Sequence, residues 1–142
     1  MSEIEQIAPI VTRRLRHEVL YPDQPIDSII LEDDNLGIHF GLYEHNKLIS
    51  VVSLFIREND AQFRKFATDK HYQNKGYGSQ LLQHIIQYAS SEGVQKVWCH
   101  ARMSAVSFYK KHGFNETGHS FIQNQLEYIR MEKTHLEHTI NT

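Results

Sequence analysis

Two glycines at the start of a predicted helix form the first candidate site for chemistry. The segment Gln73-Asn74-Lys75-Gly76-Tyr77-Gly78 lies between a strand pattern and an apolar-striped helix pattern. The first N–H groups of a helix lack partners within it and stand at the positive end of its dipole, so they bind phosphate well. Glycine lets the main chain approach a ligand closely, and Lys75 adds a positive charge. The segment predicts a phosphate-binding loop, and a glycine-rich turn into a helix is the structural alternative.

Other phosphate and metal motifs are absent from the sequence. The chain has no Gly-x-Gly-x-x-Gly followed by a distal acidic residue, which excludes a dinucleotide fingerprint. It has no Gly-x-x-x-x-Gly-Lys-Ser/Thr, which excludes an NTPase loop. The 10 histidines invite a metal site, but neither His-Glu-x-x-His nor a Cys/His ligand spacing occurs. The sequence therefore predicts no metal.

A second motif, Ala105-Val106-Ser107-Phe108-Tyr109-Lys110-Lys111-His112-Gly113-Phe114, follows about thirty residues later. Gln-x-x-Gly-x-Gly followed by Ala-x-x-Phe-Tyr-x-x-x-Gly-Phe resembles the GNAT superfamily of acyl-CoA-dependent N-acyltransferases. Residues 63–69 resemble the strand before its glycine loop, and residues 127–133 resemble its last strand. The resemblance covers roughly residues 37–133 and implies an α/β (α+β) fold with a mixed, mostly antiparallel central sheet flanked by helices.

The resemblance implies acetyl-CoA as the co-substrate and indicates the residues that hold it. The main chain of Phe66, Ala67 and Thr68 would run beside the pantetheine arm, and an N–H near Phe66 would stabilise the oxyanion. Removing one such donor in comparable chemistry costs ~3–4 kcal/mol of barrier. Arg102 stands where many members carry an asparagine that contacts the pantetheine, so it either reaches a phosphate or is solvated. The pyrophosphate would lie on the N–H groups of Gln73, Asn74, Lys75, Gly76, Tyr77, Gly78 and Ser79.

Tyr109 matches the tyrosine that protonates the departing thiolate in many members of that family. A phenol has a reference pKa of about 10, against about 8.5 for a thiol. Tyr109 is therefore expected to be protonated at neutral pH and able to donate as the sulfur leaves. The structural alternative is a core aromatic residue beside Phe108.

The acceptor amine must lose a proton, and the sequence offers several candidate bases without requiring any of them. His39 alternates with the apolar Ile38 and Phe40 on a predicted strand, and His100 ends another strand. Either histidine could titrate near neutral pH. The further candidates are Glu32 or Asp33, acting through a water, and His119.

The acceptor is expected to meet residues 1–36, because this region usually shapes the acceptor pocket in the resembled family. Arg16 lies on the predicted first helix, and its forked guanidinium would suit a substrate carboxylate, which favours an amino acid. His39 is the second candidate substrate residue. A solvated helix face explains Arg16 equally well, and Glu32, Asp33 and Asp34 would instead attract a cationic amine or polyamine.

Composition narrows the class of protein. The chain has 142 residues, 40% of them hydrophobic, and a formal net charge of −2 with mixed signs. This balance argues against a nucleic-acid binder, which usually shows a basic face. No signal peptide is apparent, and no apolar run approaches the ~20 residues that span a bilayer. Cys99 is the single cysteine, so it forms no intrachain disulfide, and it is expected to be a buried thiol. Together these features predict a cytoplasmic protein.

Hydrophobic periodicity predicts one domain over residues 1–142, with helices packed on a mixed sheet. The resemblance implies three parts of this domain, namely the acceptor-shaping region 1–36, the pyrophosphate loop and helix at 62–93, and the second half of the coenzyme A cleft at 94–133. Ser104 is the predicted N-cap of the last helix. Helices are predicted at 7–20, 76–93 and 104–112, and strands at 37–43, 48–56, 62–68, 94–100, 114–120 and 125–133.

These inferences predict an N-acetyltransferase that moves acetyl from acetyl-CoA to a primary amine of a small metabolite, with an amino acid as the expected acceptor. Acetylation of a protein lysine or N-terminus is one alternative. A non-catalytic acyl-CoA-binding sensor is another, although retention of Tyr109 argues against it. A homodimer is compatible with the enzymatic prediction.

Overall fold

The central feature of the fold is a seven-stranded sheet, most of whose strands are segments with alternating or continuous apolar residues. The structure is a computed structural model that describes residues 2–134 and 136. Within these residues the strand order in the sheet is β1-β2-β3-β4-β5-β7-β6. The strands are β1 (Ser2–Ile7), β2 (Ile38–Glu44), β3 (Lys47–Arg57), β4 (Asp60–Thr68), β5 (Lys96–Arg102), β6 (Asn115–Gln123) and β7 (Leu126–Thr134).

The predicted mixed, mostly antiparallel sheet is confirmed. The pairs β1–β2, β2–β3, β5–β7 and β6–β7 are antiparallel. The β4–β5 pair is parallel, with Asp60–Gln62 in register with Lys96–Trp98. A parallel pair needs a crossover connection, which here contains the long helix α2 (Tyr77–Ser91).

The helices follow the predicted periodicity, with two corrections. The predicted helix 7–20 consists of a 3-10 turn (Pro9–Thr12), α1 (Arg13–Leu15) and a π-helix (Arg16–Leu20). Ile7 belongs instead to β1, a strand that the sequence analysis missed because its polar residues outnumber its apolar ones. The helix predicted from Ser104 begins as a 3-10 turn, and α3 (Val106–Lys111) has Ala105, without a side-chain bond, as its N-cap. None of the described helices is long and apolar enough to cross a membrane.

The chain divides into two compact units. The first comprises residues up to Phe55 together with Phe63–Ile85. Its core includes Leu15, Val51 and Ala67, and the α2 residues Leu81, Leu82 and Ile85 are fully buried. The second unit comprises Ile56–Gln62 and the chain from Ile86 onward. The prediction of a single domain stays a prediction.

Buried apolar residues of β5 and β7 form part of the core of the second unit. They are Val97, Cys99, Ala101, Ile129 and Met131. The expected burial of Cys99 is confirmed, and burial raises the pKa of its thiol to about 12. A thiol that holds its proton this firmly is a poor nucleophile, so Cys99 serves packing.

Candidate active site

The glycine loop, residues 73–79, has the backbone conformation that its sequence predicts. Asn74 and Gly76 have φ angles of 63° and 90°, a region that favours glycine and tolerates asparagine. Residues 73–76 are exposed, and a Cβ placed on Gly76 would meet no heavy atom within 4 Å. Glycine is therefore required at position 76 by the backbone angle and not by crowding within the chain.

Hydrogen bonds at both ends hold the glycine loop in place. The Gln73 side chain donates from Nε2 to the Thr68 carbonyl at 2.9 Å. Before the loop, Asp69 donates its N–H to the Ile49 carbonyl at 2.7 Å, and its carboxylate accepts the His71 N–H at 2.9 Å. Near the other end of the loop, the Tyr77 hydroxyl donates to Glu44 at 2.9 Å, and this bond raises the pKa of Tyr77. The loop is thus pre-organised by groups outside it.

The start of α2 offers donors and positive charge to an anion. The Gln80 N–H donates to the carbonyl of Gly76, the residue before α2, at 3.1 Å, and the N–H groups of Tyr77 and Gly78 come before Gln80 in the first turn. The ammonium groups of Lys47 and Lys75 lie 5.2 and 5.7 Å from the centroid of the Tyr72 ring. A helix N-terminus with cations beside it suits a phosphate group.

The end of β4 contains a break in regular strand geometry. Lys65 has a φ of 55°, which is rare for a residue other than glycine. The residues after it are the predicted pantetheine contacts Phe66, Ala67 and Thr68, of which only Ala67 is fully buried. Ser50 binds this stretch through the Ala67 carbonyl at 3.3 Å and the Thr68 hydroxyl at 2.8 Å. The backbone outlier immediately precedes the predicted oxyanion donor.

Tyr109 lies on α3 with its side chain almost fully buried in the second unit. Its ring packs edge-on against Phe108 and Phe114, with centroids 5.2 and 5.8 Å away. Burial, with a smaller contribution from Cys99, raises the pKa of Tyr109 above its ordinary value of 10.0. Tyr109 therefore stays protonated across the physiological pH range, as a donor to a thiolate must. The packing alternative fits the same surroundings, so the acid role stays a prediction.

Arg16 is fully buried and paired within the chain. Its terminal nitrogens donate to both carboxylate oxygens of Asp34 at 2.9 Å, and also to Ser53 at 2.8 Å and the Ile29 carbonyl at 3.1 Å. The Arg16 Nε has no hydrogen-bond partner among the described residues. Because the fork of the guanidinium is occupied by Asp34, its geometry favours a structural role. The expected contact between Arg16 and a substrate carboxylate stays a prediction without geometric support.

His39 belongs to the same buried network. Its Nε2 lies 2.8 Å from the Asp34 carbonyl, which only accepts, so Nε2 carries a proton. Its Nδ1 lies 2.7 Å from the Ser53 hydroxyl and accepts from it in the neutral tautomer. His39, which alternates with the apolar Ile38 and Phe40 on β2, is 2% exposed. Its predicted role at the substrate is thus weakened, since both ring nitrogens are engaged internally.

The remaining predicted site residues are the coenzyme A candidate Arg102 and the candidate bases. Arg102 is half-buried on β5, where its register partner on β7 is Tyr128. His100 is exposed, with ring centroids of Trp98 and Phe121 5.2 and 4.9 Å away. Asp33 accepts from Arg64 at 3.1 Å. Glu32 and His119 are both exposed.

Sequence reasoning missed three polar residues that the structure brings into these networks, namely Tyr21, Ser53 and Arg64. Their partners lie between 14 and 44 positions away along the chain, so no local pattern could have revealed them. No group of three or more His, Cys, Asp or Glu side chains within the described part of the chain converges as a metal site would require.

Comparison with protein families assigns the chain to a class of acyltransferases. The family model for the acetyltransferase (GNAT) domain matches residues 6–135, and the chain belongs to this family. Its members use acetyl-CoA as co-substrate, and this chain is accordingly an N-acetyltransferase.

The chain is also similar to individual N-acetyltransferases in sequence and in fold. The chain is 31% identical over 130 residues to the N-acetyltransferase YitI of Bacillus subtilis, whose function is uncharacterised, covering 85% of this chain and 87% of that protein. It is 30% identical over 82 residues to the ribosomal protein bS18-alanine N-acetyltransferase of Escherichia coli, covering 56% of this chain and 55% of that enzyme. A Lactobacillus plantarum protein assigned to the N-acetyltransferases shares the fold, with a TM-score of 0.85 and 22% identity over 95% of this chain and 99% of that one.

The buried pair between Arg16 and Asp34 should stabilise the fold in a pH-dependent manner. Burial by itself raises the pKa of Asp34, but the bonds from Arg16 and the Leu31 N–H, with the charge of Arg16, hold it below its ordinary 3.8. Asp34→Asn leaves a buried charge uncompensated and should lower the free energy of unfolding at pH 7 by about 3–5 kcal/mol. Because the folded-state pKa is depressed, this difference from wild type should shrink as the pH falls below about 4.

Denaturant unfolding at several pH values measures this difference. Glu116→Gln is the control, since it removes a carboxylate from an exposed ion pair with Lys110 and should change stability by less than about 1 kcal/mol. Equal effects of the two substitutions would contradict the stabilising role of the buried pair.

Proposed function

We propose that this N-acetyltransferase transfers the acetyl group of acetyl-CoA to a primary amine of a small cationic molecule in the cytoplasm, by direct attack. The observation that carries the donor half is the exposed glycine loop at the start of α2, with Gly76 at a φ of 90° and Lys75 beside it. Its open backbone and positive surroundings fit a pyrophosphate. The acceptor half rests on the negative charge of residues 21–36.

The residues of the chain have distinct roles in this proposal. The glycine loop binds the pyrophosphate through its N–H groups, and the main chain of Phe66, Ala67 and Thr68 flanks the pantetheine arm. The Phe66 N–H donates to the carbonyl oxygen as it gains negative charge. The neutral amine forms a bond to the carbonyl carbon as the oxygen gains negative charge, and the nitrogen then releases one proton to solvent. The carbonyl re-forms as the carbon–sulfur bond breaks, Tyr109 gives its proton to the thiolate sulfur, and the tyrosinate takes up a proton from solvent. No residue is assigned as the base.

Charge supports a cationic acceptor. Residues 21–36 contain five acidic and no basic residues. Asp33 and Asp34 are paired with arginines, whereas Asp23, Asp27 and Glu32 are exposed. An exposed acidic segment attracts amines with more than one positive charge and repels carboxylates. The arrangement therefore favours a diamine or polyamine over the amino acid expected from Arg16.

Acetylation of a protein N-terminus is a second candidate. The relative that acts on ribosomal protein bS18-alanine, at 30% identity, supports it. The match covers 56% of this chain, so this support is limited to that part.

Substitution of Gly76 should impair acetyl-CoA binding beyond its effect on folding. Gly76→Ala and Gly93→Ala each place a Cβ at positive φ, 90° and 82°, with no atom within 4 Å. Each should cost roughly 1–2 kcal/mol of stability. Only Gly76→Ala should also raise the KM for acetyl-CoA, by about tenfold or more, because hydrogen bonds to a charged group are worth ~1.5–3 kcal/mol. Steady-state kinetics and calorimetric titration with coenzyme A measure this difference, and equal KM values for the two variants would argue against the loop as the pyrophosphate site.

Removal of the Tyr109 hydroxyl should affect turnover and spare donor binding. Tyr109→Phe should lower kcat by about 10²-fold or more, the typical contribution of a general acid, while the Kd for acetyl-CoA changes little. Tyr43→Phe, which removes the same atom from a half-buried tyrosine of β2, is the control. Wild-type turnover by Tyr109→Phe would assign the residue to packing.

The acceptor class can be identified by thiol release from acetyl-CoA. The amines tested are diamines and polyamines, free amino acids, an aminoglycoside, a lysine peptide and a peptide with N-terminal alanine. We expect release with polyamines, slowed by salt because exposed charges are screened. Release with the alanine peptide alone would replace the small-molecule proposal with protein acetylation, and tight binding of coenzyme A without release would support the sensor.

A further inference from the structure

Two side chains from one segment bind consecutive residues of β4. This acidic segment, residues 21–36, contributes Tyr21 near its start and Asp33 near its end. The Lys65 ammonium donates to the Tyr21 hydroxyl at 2.6 Å and lies 4.5 Å from the centroid of its ring. Arg64 donates from Nη1 to the two carboxylate oxygens of Asp33 at 3.1 and 3.3 Å. The acidic segment is thus attached to β4 at two adjacent positions.

The position where Tyr21 attaches is the backbone outlier of β4. At a φ of 55°, Lys65 is in a conformation that costs a non-glycine residue of order 1–3 kcal/mol. Such a conformation persists only where surrounding contacts over-determine it, and it clusters at functional sites. The peptide plane between Lys65 and Phe66 sets the direction of the Phe66 N–H. Contacts that hold Lys65 therefore also hold the proposed oxyanion donor.

The acidic segment is itself anchored to the π-helix Arg16–Leu20. Tyr21 follows that helix directly, and its N–H donates to the His17 carbonyl at 3.2 Å. Arg16, the first residue of the helix, binds both oxygens of Asp34, the neighbour of Asp33. The contacts close into a ring that runs from β4 through Tyr21, the π-helix and Asp34 back to β4. π-helices occur frequently at functional sites.

A second set of contacts supports the Asp33 side of this ring. The Arg64 guanidinium lies 5.4 Å from the centroid of the Phe55 ring, which meets His39 edge-on at 6.2 Å. His39 in turn donates to the Asp34 carbonyl. These contacts hold Arg64 against Phe55 of β3 and hold Asp34, the residue after Asp33, against His39 of β2.

We propose that Tyr21 and Asp33 are positioning residues, which hold the β4 backbone at Lys65 so that the Phe66 N–H points at the developing oxyanion. This inference rests on the proposed function of β4. It couples the acidic segment, which we propose attracts the acceptor, to the main-chain donor that stabilises the transition state. Displacement of either contact would reorient the donor without removing a residue that touches the substrate.

The test compares the effects of each substitution on kcat and on the KM for acetyl-CoA. Tyr21→Phe and Asp33→Asn should each lower kcat for thiol release by about 10- to 100-fold, because small misplacements of catalytic groups carry costs of that order. The KM for acetyl-CoA should stay within about twofold, because hydrogen-bonding groups that bind the pyrophosphate are untouched. Asp33→Glu keeps a carboxylate that can pair with Arg64, so its kcat should be higher than that of Asp33→Asn. Glu116→Gln, which breaks an exposed ion pair with Lys110 at 3.3 Å, is the control and should leave kcat unchanged.

Lys65→Gly provides an independent test that does not depend on the folding of the Tyr21 variant. Glycine adopts a positive φ without steric strain, which offsets part of the stability lost with the contact to Tyr21, so this variant should fold. It loses both the contact with Tyr21 and the constraint on the backbone, so its kcat should fall as far as in Tyr21→Phe. In the Lys65→Gly background, Tyr21→Phe should have no further effect on kcat.

A second readout separates this inference from the proposed function. In two-dimensional NMR spectra of the ligand-free protein, the amide signals of Lys65 and Phe66 should shift or broaden in Tyr21→Phe and Asp33→Asn, and the signal of Gly93 should not. If the wild-type protein released no thiol with any acceptor, that result would count against the proposed function alone. The NMR spectra would still test whether Tyr21 and Asp33 hold the β4 backbone. Full kcat, or unaltered Phe66 signals in both variants, would overturn it.

Discussion

A buried guanidinium must be paired, and the first unit of this protein is organised around that requirement. Arg16 is fully buried, and its terminal nitrogens are satisfied by Asp34, Ser53 and the Ile29 carbonyl. These partners come from the acidic segment and β3, so the need to compensate one charge brings together the elements on which they lie. Buried ion pairs contribute little net stability compared with apolar packing, but breaking one is costly. The pair therefore acts mainly as a constraint on where the acidic segment can lie.

Main-chain geometry, more than side-chain chemistry, characterises the proposed donor site. Both the glycine loop and the end of β4 contain residues at positive φ, namely Asn74, Gly76 and Lys65. At Gly76 the absence of a Cβ makes this conformation inexpensive. At Lys65 it must be held by tertiary contacts, and the Tyr21 hydroxyl 2.6 Å from the ammonium is one of them. The two stretches thus present N–H groups by different means, one local and one long-range.

The sequence predicted most of the fold, and its failures have physical reasons. The apolar stripe of α2 and the continuous apolar run of β3 are strong local signals, and both elements were predicted within a few residues. β1 was missed because Ser2–Ile7 carries mostly polar side chains, and pairing with β2 makes it a strand. Ser104 is a good N-cap by type, but a 3-10 turn moves the start of α3 beyond it. The sequence shows His39 alternating with the apolar residues of β2, but it does not show the polar network that buries this histidine.

The sequence by itself determined the features that depend on residue type at fixed short spacing. These are the glycine loop before α2, the Phe108-Tyr109 pair on α3 and the family to which they belong, since backbone angles and helix starts follow from a few consecutive residues. Only the tertiary structure decided the partners of Arg16 and the conformation of Lys65. Both depend on contacts between residues 18 or 44 positions apart, which no local pattern encodes. Arg16 was predicted to meet a substrate because its type allows that role, and burial beside Asp34 gives it a carboxylate from the chain itself.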